Sequence, residues 1–358
     1  MNQSMSFYIS ELLEYLGCVV AQSNEEYIEV MATQDVMSLT GLPEYSKLPV
    51  NFDSEIFRAV PKLLGDKGRF ARMNYAPSEI KLDKFENKVL KNVVLKNAVF
   101  NLGKSETKNI SYLLSYFKWS AVSDEKHEGI MASLINEYNL SCESFDGALE
   151  DIVTKKSDME LTGIEKKDIS VITKSLLSAQ KKLVADNLMD FKESLIRRLN
   201  RDIRRINEYY QTLIKEIRET LNRKVLLPED NEKYQNKIKS IELELRLKTQ
   251  DTIDKYSLNI SIEPVSIIRL NTPVKILWLE IKRRKNTRRF PVTFNPIFMD
   301  IDLLPCEACF STDRSYYICD EQLHILCNQC FSPCEKCGKN YCHACYKNGC
   351  PKCNRQSL

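Results

Sequence analysis

The stretch CEACFSTDRSYYICDEQLHILCNQCFSPCEKCGKNYCHACYKNGCPKC, residues 306–353, decides how the chain is read. It holds eleven of the thirteen cysteines and two of the three histidines. They fall into six short pairs: Cys306/Cys309, Cys319/His324, Cys327/Cys330, Cys334/Cys337, Cys342/Cys345 and Cys350/Cys353. A Cys-x2-Cys turn puts two sulfurs on one side of a tight loop, about the separation of two corners of a tetrahedral zinc site. Six pairs supply ligands for three zinc ions, with His343 an alternative to Cys342.

Outside that stretch the composition is ordinary. The chain has 358 residues, 43% hydrophobic and 28% charged, with a net charge of +3, so any basic surface must be local. The first residues, Met1-Asn-Gln-Ser-Met-Ser, carry neither the basic start nor the apolar run of a signal peptide. No apolar run reaches the length of a membrane span. The cysteines are therefore expected in a reducing, cytoplasmic compartment, where clustered pairs mean metal and not disulfides.

Residues 1–150 read as an α+β domain. Ser10–Leu16 and Glu55–Leu64 have helical spacing, Val89–Leu102 has the β-branched content of a strand, and Ser123-Asp-Glu has the form of a helix start. Asn101-Leu-Gly-Lys-Ser-Glu-Thr carries the Gly-Lys-Ser end of a phosphate loop. The glycine needed five residues earlier is Ala98, so the cradle is incomplete. His127 lies among carboxylates with no nucleophile beside it, and no catalytic constellation emerges.

The composition then changes. Gly163 is the last glycine before Gly338, and Asp168–Lys224 is helix-forming throughout, roughly 85 Å if continuous. Leu195, Leu199, Ile203, Ile206, Tyr210, Leu213, Ile217 and Leu221 form one apolar stripe. Pro228 marks a turn in Leu226-Leu-Pro-Glu-Asp, and a second helix follows over 229–256. Residues 160–256 are expected as a long antiparallel helical hairpin, or as a coiled coil between two copies of the chain. The first helix carries Arg197, Arg198, Arg201, Arg204 and Arg205 on its polar side, a solvated face or a surface for an acidic partner.

Residues 257–304 alternate in the manner of strands. Two of these strands flank Lys282, Arg283, Arg284, Lys285, Arg288 and Arg289, six cations in eight residues, with Asn286-Thr287 expected at the hairpin tip. Like charges converging on one turn repel each other, and a DNA or RNA backbone would relieve that cost. Residues 305–358 then form the zinc module. Eleven thiolates against three divalent ions leave it net negative, so it suits protein better than phosphate.

The order of ligand pairs over 306–330 resembles that of RING and ZZ zinc fingers. That resemblance implies a cross-brace in which Cys306, Cys309, Cys327 and Cys330 share one zinc, and Cys319, His324, Cys342 and Cys345 a second. Cys334, Cys337, Cys350 and Cys353 remain as a ribbon-like third site. The four-residue gap between Cys319 and His324 departs from the RING spacing.

A wider resemblance rests on Arg198-Leu-Asn-Arg-Asp-Ile-Arg-Arg-Ile-Asn-Glu-Tyr-Tyr, Ile281-Lys-Arg-Arg-Lys, Phe294-Asn-Pro and Leu304-Pro-Cys-Glu-Ala-Cys. Tyr112-Leu-Leu-Ser-Tyr-Phe-Lys and Ser123-Asp-Glu-Lys-His-Glu belong to the same pattern. The chain is similar to a bacterial family with a helical middle and a Cys-rich tail, encoded near Swi/Snf-type helicases. The resemblance implies a place beside a DNA-translocating ATPase and no activity.

The sequence thus predicts an α+β chain acting as a non-enzymatic, zinc-binding adaptor that docks protein and touches nucleic acid. Two other classes stay open: a RING-type ubiquitin or ubiquitin-like ligase, and a structural coiled-coil oligomer.

Overall fold

The structure, a computed structural model, describes residues 5–23, 27–51, 54–65, 69–77, 80–158, 161–165, 167–223 and 228–354. The chain folds as two units, Met1–Phe70 and Ala71–Leu358.

In the first unit α1 (Met5–Tyr15), α2 (Gln34–Thr40) and α3 (Glu55–Leu64) accompany an antiparallel sheet β1 (Val19–Ser23), β2 (Tyr27–Met31), β3 (Tyr45–Pro49). Alternation puts Ile28, Val30 and Leu48 on one face, where they pack with Ile9, Leu13, Val36, Ile56 and Leu63. Ser54 caps α3 by accepting from the Phe57 amide at 3.4 Å. Pro61 is accommodated inside α3.

The second unit is built on one sheet. Its strands are β4 (Phe70–Tyr75), β6 (Val99–Val122), β7 (Lys126–Asn136), β8 (Cys142–Ser144), β9 (Lys156–Ser157), β10 (Asn259–Arg283), β11 (Asn286–Asn295) and β12 (Asp300–Ile301). The order is β12-β11-β10-β6-β7-β8, with β4 pairing β10 and β9. The helices α4 (Leu82–Asn92), α5 (Leu149–Val153), α6 (Ile169–Asn187), α7 (Met189–Arg223) and α8 (Pro228–Lys255) are interspersed, and β5 (Val94–Leu95) follows α4. β6 and β10 run antiparallel from Asn259↔Val122 to Lys282↔Val99. The early strands and the strands expected over 257–304 are therefore one sheet, with α6–α8 inserted between them.

Both faces of β6 are covered. Ile110, Tyr112 and Leu114 pack with Leu134, Ile268 and Leu270, while Phe117, Trp119 and Ala121 meet Val184 and Leu188 at the end of α6. Two expectations are corrected by this pairing. Ser123-Asp-Glu is the turn joining β6 to β7, not a helix start, because the flanking aromatic and β-branched residues pair with one another. Val89–Leu102 is the end of α4, the short β5 and the beginning of β6.

The long coiled-coil hairpin is not formed. The helix expected to be continuous breaks at Leu188, which is 4% exposed and tucked against Phe117 and Trp119. α6 lies on the sheet, where Gln180 donates to Ser115 and Ser133. Only α7 goes on to meet α8: Asp202, Tyr210 and Arg218 contact Tyr256, Glu244 and Glu242, so the two run in opposite directions. Of the stripe on α7, Leu195 and Tyr210 are buried, with Ile214 beside them. Lys224–Leu227, where the expected turn begins, lie outside the described residues. No helix among the described residues is long and apolar enough to cross a membrane.

Candidate metal centres

The Cys-rich segment carries β13 (Ser315–Ile318), β14 (Ile325–Leu326), β15 (Phe331–Pro333), β16 (Asn340–Cys342) and α9 (Pro351–Asn354). Each pair of ligands comes from a tight turn. The Cys306 carbonyl accepts from the Phe310 amide at 2.8 Å, that of Cys334 from Gly338 at 2.7 Å, and that of Cys342 from Tyr346 at 3.0 Å. Such a turn ends with positive φ at Gly338 (66°), which glycine takes without strain, and at Phe310 (64°), which has no such freedom.

These turns converge in three clusters: Cys306, Cys309, Cys327 and Cys330; Cys319, His324, Cys342 and Cys345; Cys334, Cys337, Cys350 and Cys353. The Sγ–Sγ separations include 3.7 Å for Cys309–Cys327, 3.9 Å for Cys319–Cys345, 3.8 Å for Cys334–Cys353 and 3.7 Å for Cys337–Cys350. A tetrahedron with zinc–sulfur bonds of about 2.3 Å has edges of about 3.8 Å. His324 Nδ1 is 3.7 Å from Cys319 Sγ, 3.7 Å from Cys342 Sγ and 3.3 Å from Cys345 Sγ. The geometry fits three zinc ions in the interleaved pairing.

His343 stands outside these clusters. Its Nε2 is 3.3 Å from Ser332 Oγ, its ring leans on Tyr341, and Cys342 supplies the ligand.

The donors are chemically prepared. Cys327 is held well below the usual thiol range by hydrogen bonds from Cys306 and Cys309. The Cys342 thiol and nearby backbone amides bring Cys319 down to about 4, and the amides of Cys337 and Lys336 bring Cys334 down to about 7. Burial pushes Cys330 and Cys353 up to about 12, and the sulfurs hydrogen-bonded to Cys306 and Cys342 raise those two as well. Each cluster holds one sulfur lowered toward the thiolate, and a divalent cation would favour ionisation of the raised thiols Cys306, Cys330, Cys342 and Cys353. Ser311 Oγ lies 3.1 Å from Cys309 Sγ, and the His324 and Cys345 amides donate to Cys319 and Cys342 sulfurs at 3.2 and 3.3 Å. Such partners orient the ligands.

The segment is anchored to the sheet. Leu304, Tyr316, Ile318, Leu323 and Ile325 share a core with Phe85, Leu277, Leu279 and Phe290. β13 pairs in parallel with β5, and the Asn97 side chain both accepts from the Ile318 amide (2.8 Å) and donates to its carbonyl (3.2 Å). The Ser178 hydroxyl donates to the Cys309 carbonyl at 2.7 Å.

The basic hairpin has a local role that its charge alone does not reveal. The register Arg283↔Asn286 puts the two-residue tip at Arg284 and Lys285, and not at Asn286-Thr287. Arg288 grips Glu307 with two bonds of 2.8 and 2.7 Å and reaches the Leu323 carbonyl at 3.1 Å. Arg283 holds Asp320 and the Asn97 carbonyl. Arg284 pairs with Asp320 at 3.0 Å and Arg289 with Glu280 at 3.0 Å, both arginines being more than two-thirds exposed. Lys282 and Lys285 have no ion pair among the described residues. Six cations therefore face three carboxylates; Arg283 and Arg288, both largely covered, clamp the metal segment, and Arg284 reaches it from an exposed position. Glu307 and Asp320 were the residues missed; their only signal was acidic placement beside ligands Cys306 and Cys319.

Other sequence candidates are scattered. Gly103-Lys-Ser lies in extended β6, so it forms no phosphate loop. His127 sits on β7 with its ring 4.0 Å from that of Phe191. Arg198 ties α7 to the β6–β7 turn through Asp124 (2.8 Å) and Glu125 (2.7 Å). No protein-family model and no curated protein matches the chain.

Proposed function

We propose that this chain is a non-enzymatic, zinc-dependent docking protein. One observation carries the reading: twelve ligands close three four-ligand sites, so no position is open for water or substrate. In such sites the metal stabilises the fold and does no chemistry. The first two sites share a buried cluster of their own whose flanking residues enter the sheet's core, while the third lies on the β15–β16 ribbon. That ribbon carries exposed Lys336, Lys339 and Lys347 and is the part offered to another protein. Cross-linking from these lysines in cells should recover one recurrent partner, lost on Cys350→Ser with the remainder of the fold intact. A partner that stays bound to that variant would overturn the assignment.

Nucleic-acid contact is the second half of the proposal, now confined to Lys282, Arg284, Lys285 and Arg289. Serine at those four positions should flatten the salt dependence of binding to duplex DNA, whereas Arg283 and Arg288 must be kept because they hold the metal segment. Unchanged affinity in the quadruple variant sinks it. The implied companion is a DNA-translocating ATPase, a Swi/Snf-type helicase in the resemblance noted above. The interleaved wiring also favours a RING-type ligase; discharge of a charged ubiquitin-like carrier by the zinc-loaded chain would decide for it.

A further inference from the structure

β6 is paired on both sides only from Tyr112 onward. Its earlier half has β10 on one side and, among the described residues, no strand on the other. The direction of its free backbone groups follows from two observations. The Ser111 carbonyl accepts from the Glu137 amide on the far side from β10. Asn109 lies opposite Pro273, which has no N–H to offer, so that pair exchanges no ladder bonds. Main-chain groups alternate, so Ser105, Thr107 and Asn109 aim their N–H and C=O groups away from β10. At Asn109 the side-chain amide is engaged, donating to the Thr162 carbonyl at 2.9 Å.

This edge has a cavity on each face. On one face a space of about 350 Å³ is bounded by Tyr75, Ile80, Thr107, Lys275 and Phe294. On the other, about 460 Å³ is bounded by Gly103, Glu106, Trp278, Glu280 and Arg289. The register places them on opposite faces: Thr107 is opposite Lys275, in line with Leu277 and Leu279, while Glu106 and Trp278 project the other way and share a 3.1 Å hydrogen bond. Gly103 is required there, since a Cβ would stand 2.9 Å from the Trp278 carbonyl.

We infer that the β6 edge over Ser105–Asn109 is a strand-addition site for an extended segment of a different protein. Main-chain pairing would hold the segment, and two successive apolar side chains, which point to opposite faces of a strand, would enter the two cavities. Charge selects against a second copy paired about Glu106 and favours a separate, acidic segment. Antiparallel self-pairing centred on Glu106 would set Lys104 of each copy against Lys108 of the other, and like charges directly opposed are destabilising. Lys104 has no ion pair among the described residues, so a carboxylate on the incoming segment is favoured. The site is independent of the metal centres and of their proposed role.

The test is selection from a randomised nonapeptide display library on the full, zinc-loaded chain. Enriched peptides should carry adjacent apolar residues and an acidic one. They should slow amide exchange at Ser105 and Thr107, and bind at least tenfold more weakly to the Ser105→Pro, Thr107→Pro variant, whose lost N–H groups serve no existing ladder. N-methylation of alternate peptide amides should abolish binding without touching the protein. No enrichment, or peptides that bind parent and proline variant equally, overturns the site. A dimer of the parent that the prolines dissolve would reassign the edge to self-pairing.

Discussion

Among the described residues of the larger unit Asp302 is the most enclosed charge-bearing one, 3% exposed. Its Oδ2 accepts from the Tyr112 hydroxyl at 2.7 Å and the Asn136 amide at 2.8 Å, and Thr293 also donates to it. Its Oδ1 accepts from Asn295 at 2.8 Å. Those bonds hold three strands together, yet burial still raises the carboxyl above its ordinary value. Glu143 nearby is pushed up to about 7, first by burial and further by Asp302 and Asp300, although the Leu303 amide donates to it. A carboxyl raised in the fold costs stability when ionised. The cost is complete above pH 7, shrinks as pH falls through 7, and is gone below the ordinary value near 4.5. Glu143→Gln, which mimics the protonated form and keeps the acceptor for Leu303, should therefore be more stable than the parent by about 1–2 kcal/mol at pH 8, discounted for partial exposure. The two should converge by pH 4. Urea midpoints at several pH values measure this, and a gain that persists at pH 4 would show the effect is not ionisation.

At the scale of elements, the clamp between β11 and the metal segment separates one arginine from its neighbour. Arg288→Met removes both bonds to Glu307 and leaves that half-buried carboxylate with only the Ile325 amide, at 2.7 Å. The expected loss is about 2–4 kcal/mol, with faster zinc release to a chromogenic chelator. Arg289→Ser, one residue on, breaks a pair that is 71% exposed at the arginine and should leave release unchanged. Equal behaviour of the two variants would refute the clamp. The ribbon follows a different rule. The first site has three buried ligands and the second two, whereas in the third only Cys350 is buried and Cys334, Cys337 and Cys353 are half-buried, so the third site should empty first. Titration with EDTA should free one zinc equivalent before the other two, and Cys350→Ser should retain two. Simultaneous release of all three would contradict the order.

On the scale of the whole molecule, the two units differ in how far apart in sequence their packed residues lie. Met1–Phe70 has its own core of Ile9, Leu13, Ile28, Val30, Leu48 and Ile56 from adjacent elements. A fragment ending at Phe70 should melt cooperatively by circular dichroism, and a featureless slope would disprove it. The larger unit must bring β10 to β6 across three helices, and its last strands to β5. Loop closure over such distances is slow, so it should refold after the small unit.

Much of this was legible in the residues, and the division is physical. The metal ligands could be read because each pair is a turn of a few residues, but which pairs share an ion is one of fifteen combinations and was implied only by the resemblance to RING and ZZ fingers. The helices over 169–223 and 228–255 could be read from periodicity for the same local reason. The break at Leu188 could not, because it depends on Phe117 and Trp119, some seventy residues earlier. Nor could the partners of the hairpin arginines. A run of six cations looks alike whether it faces phosphate or carboxylate, and Glu307 and Asp320 become its neighbours only when the sheet and the metal segment are packed. By itself the sequence determined zinc, its ligands and the helices, all set by interactions within a turn or two of the chain. Tertiary structure decided that the early and late strands are one sheet, that the metal segment contributes to its core, and that half of β6 has, among the described residues, a strand on one side only. Those outcomes rest on hydrogen bonds and burial between residues far apart in sequence, whose pairing local spacing does not encode.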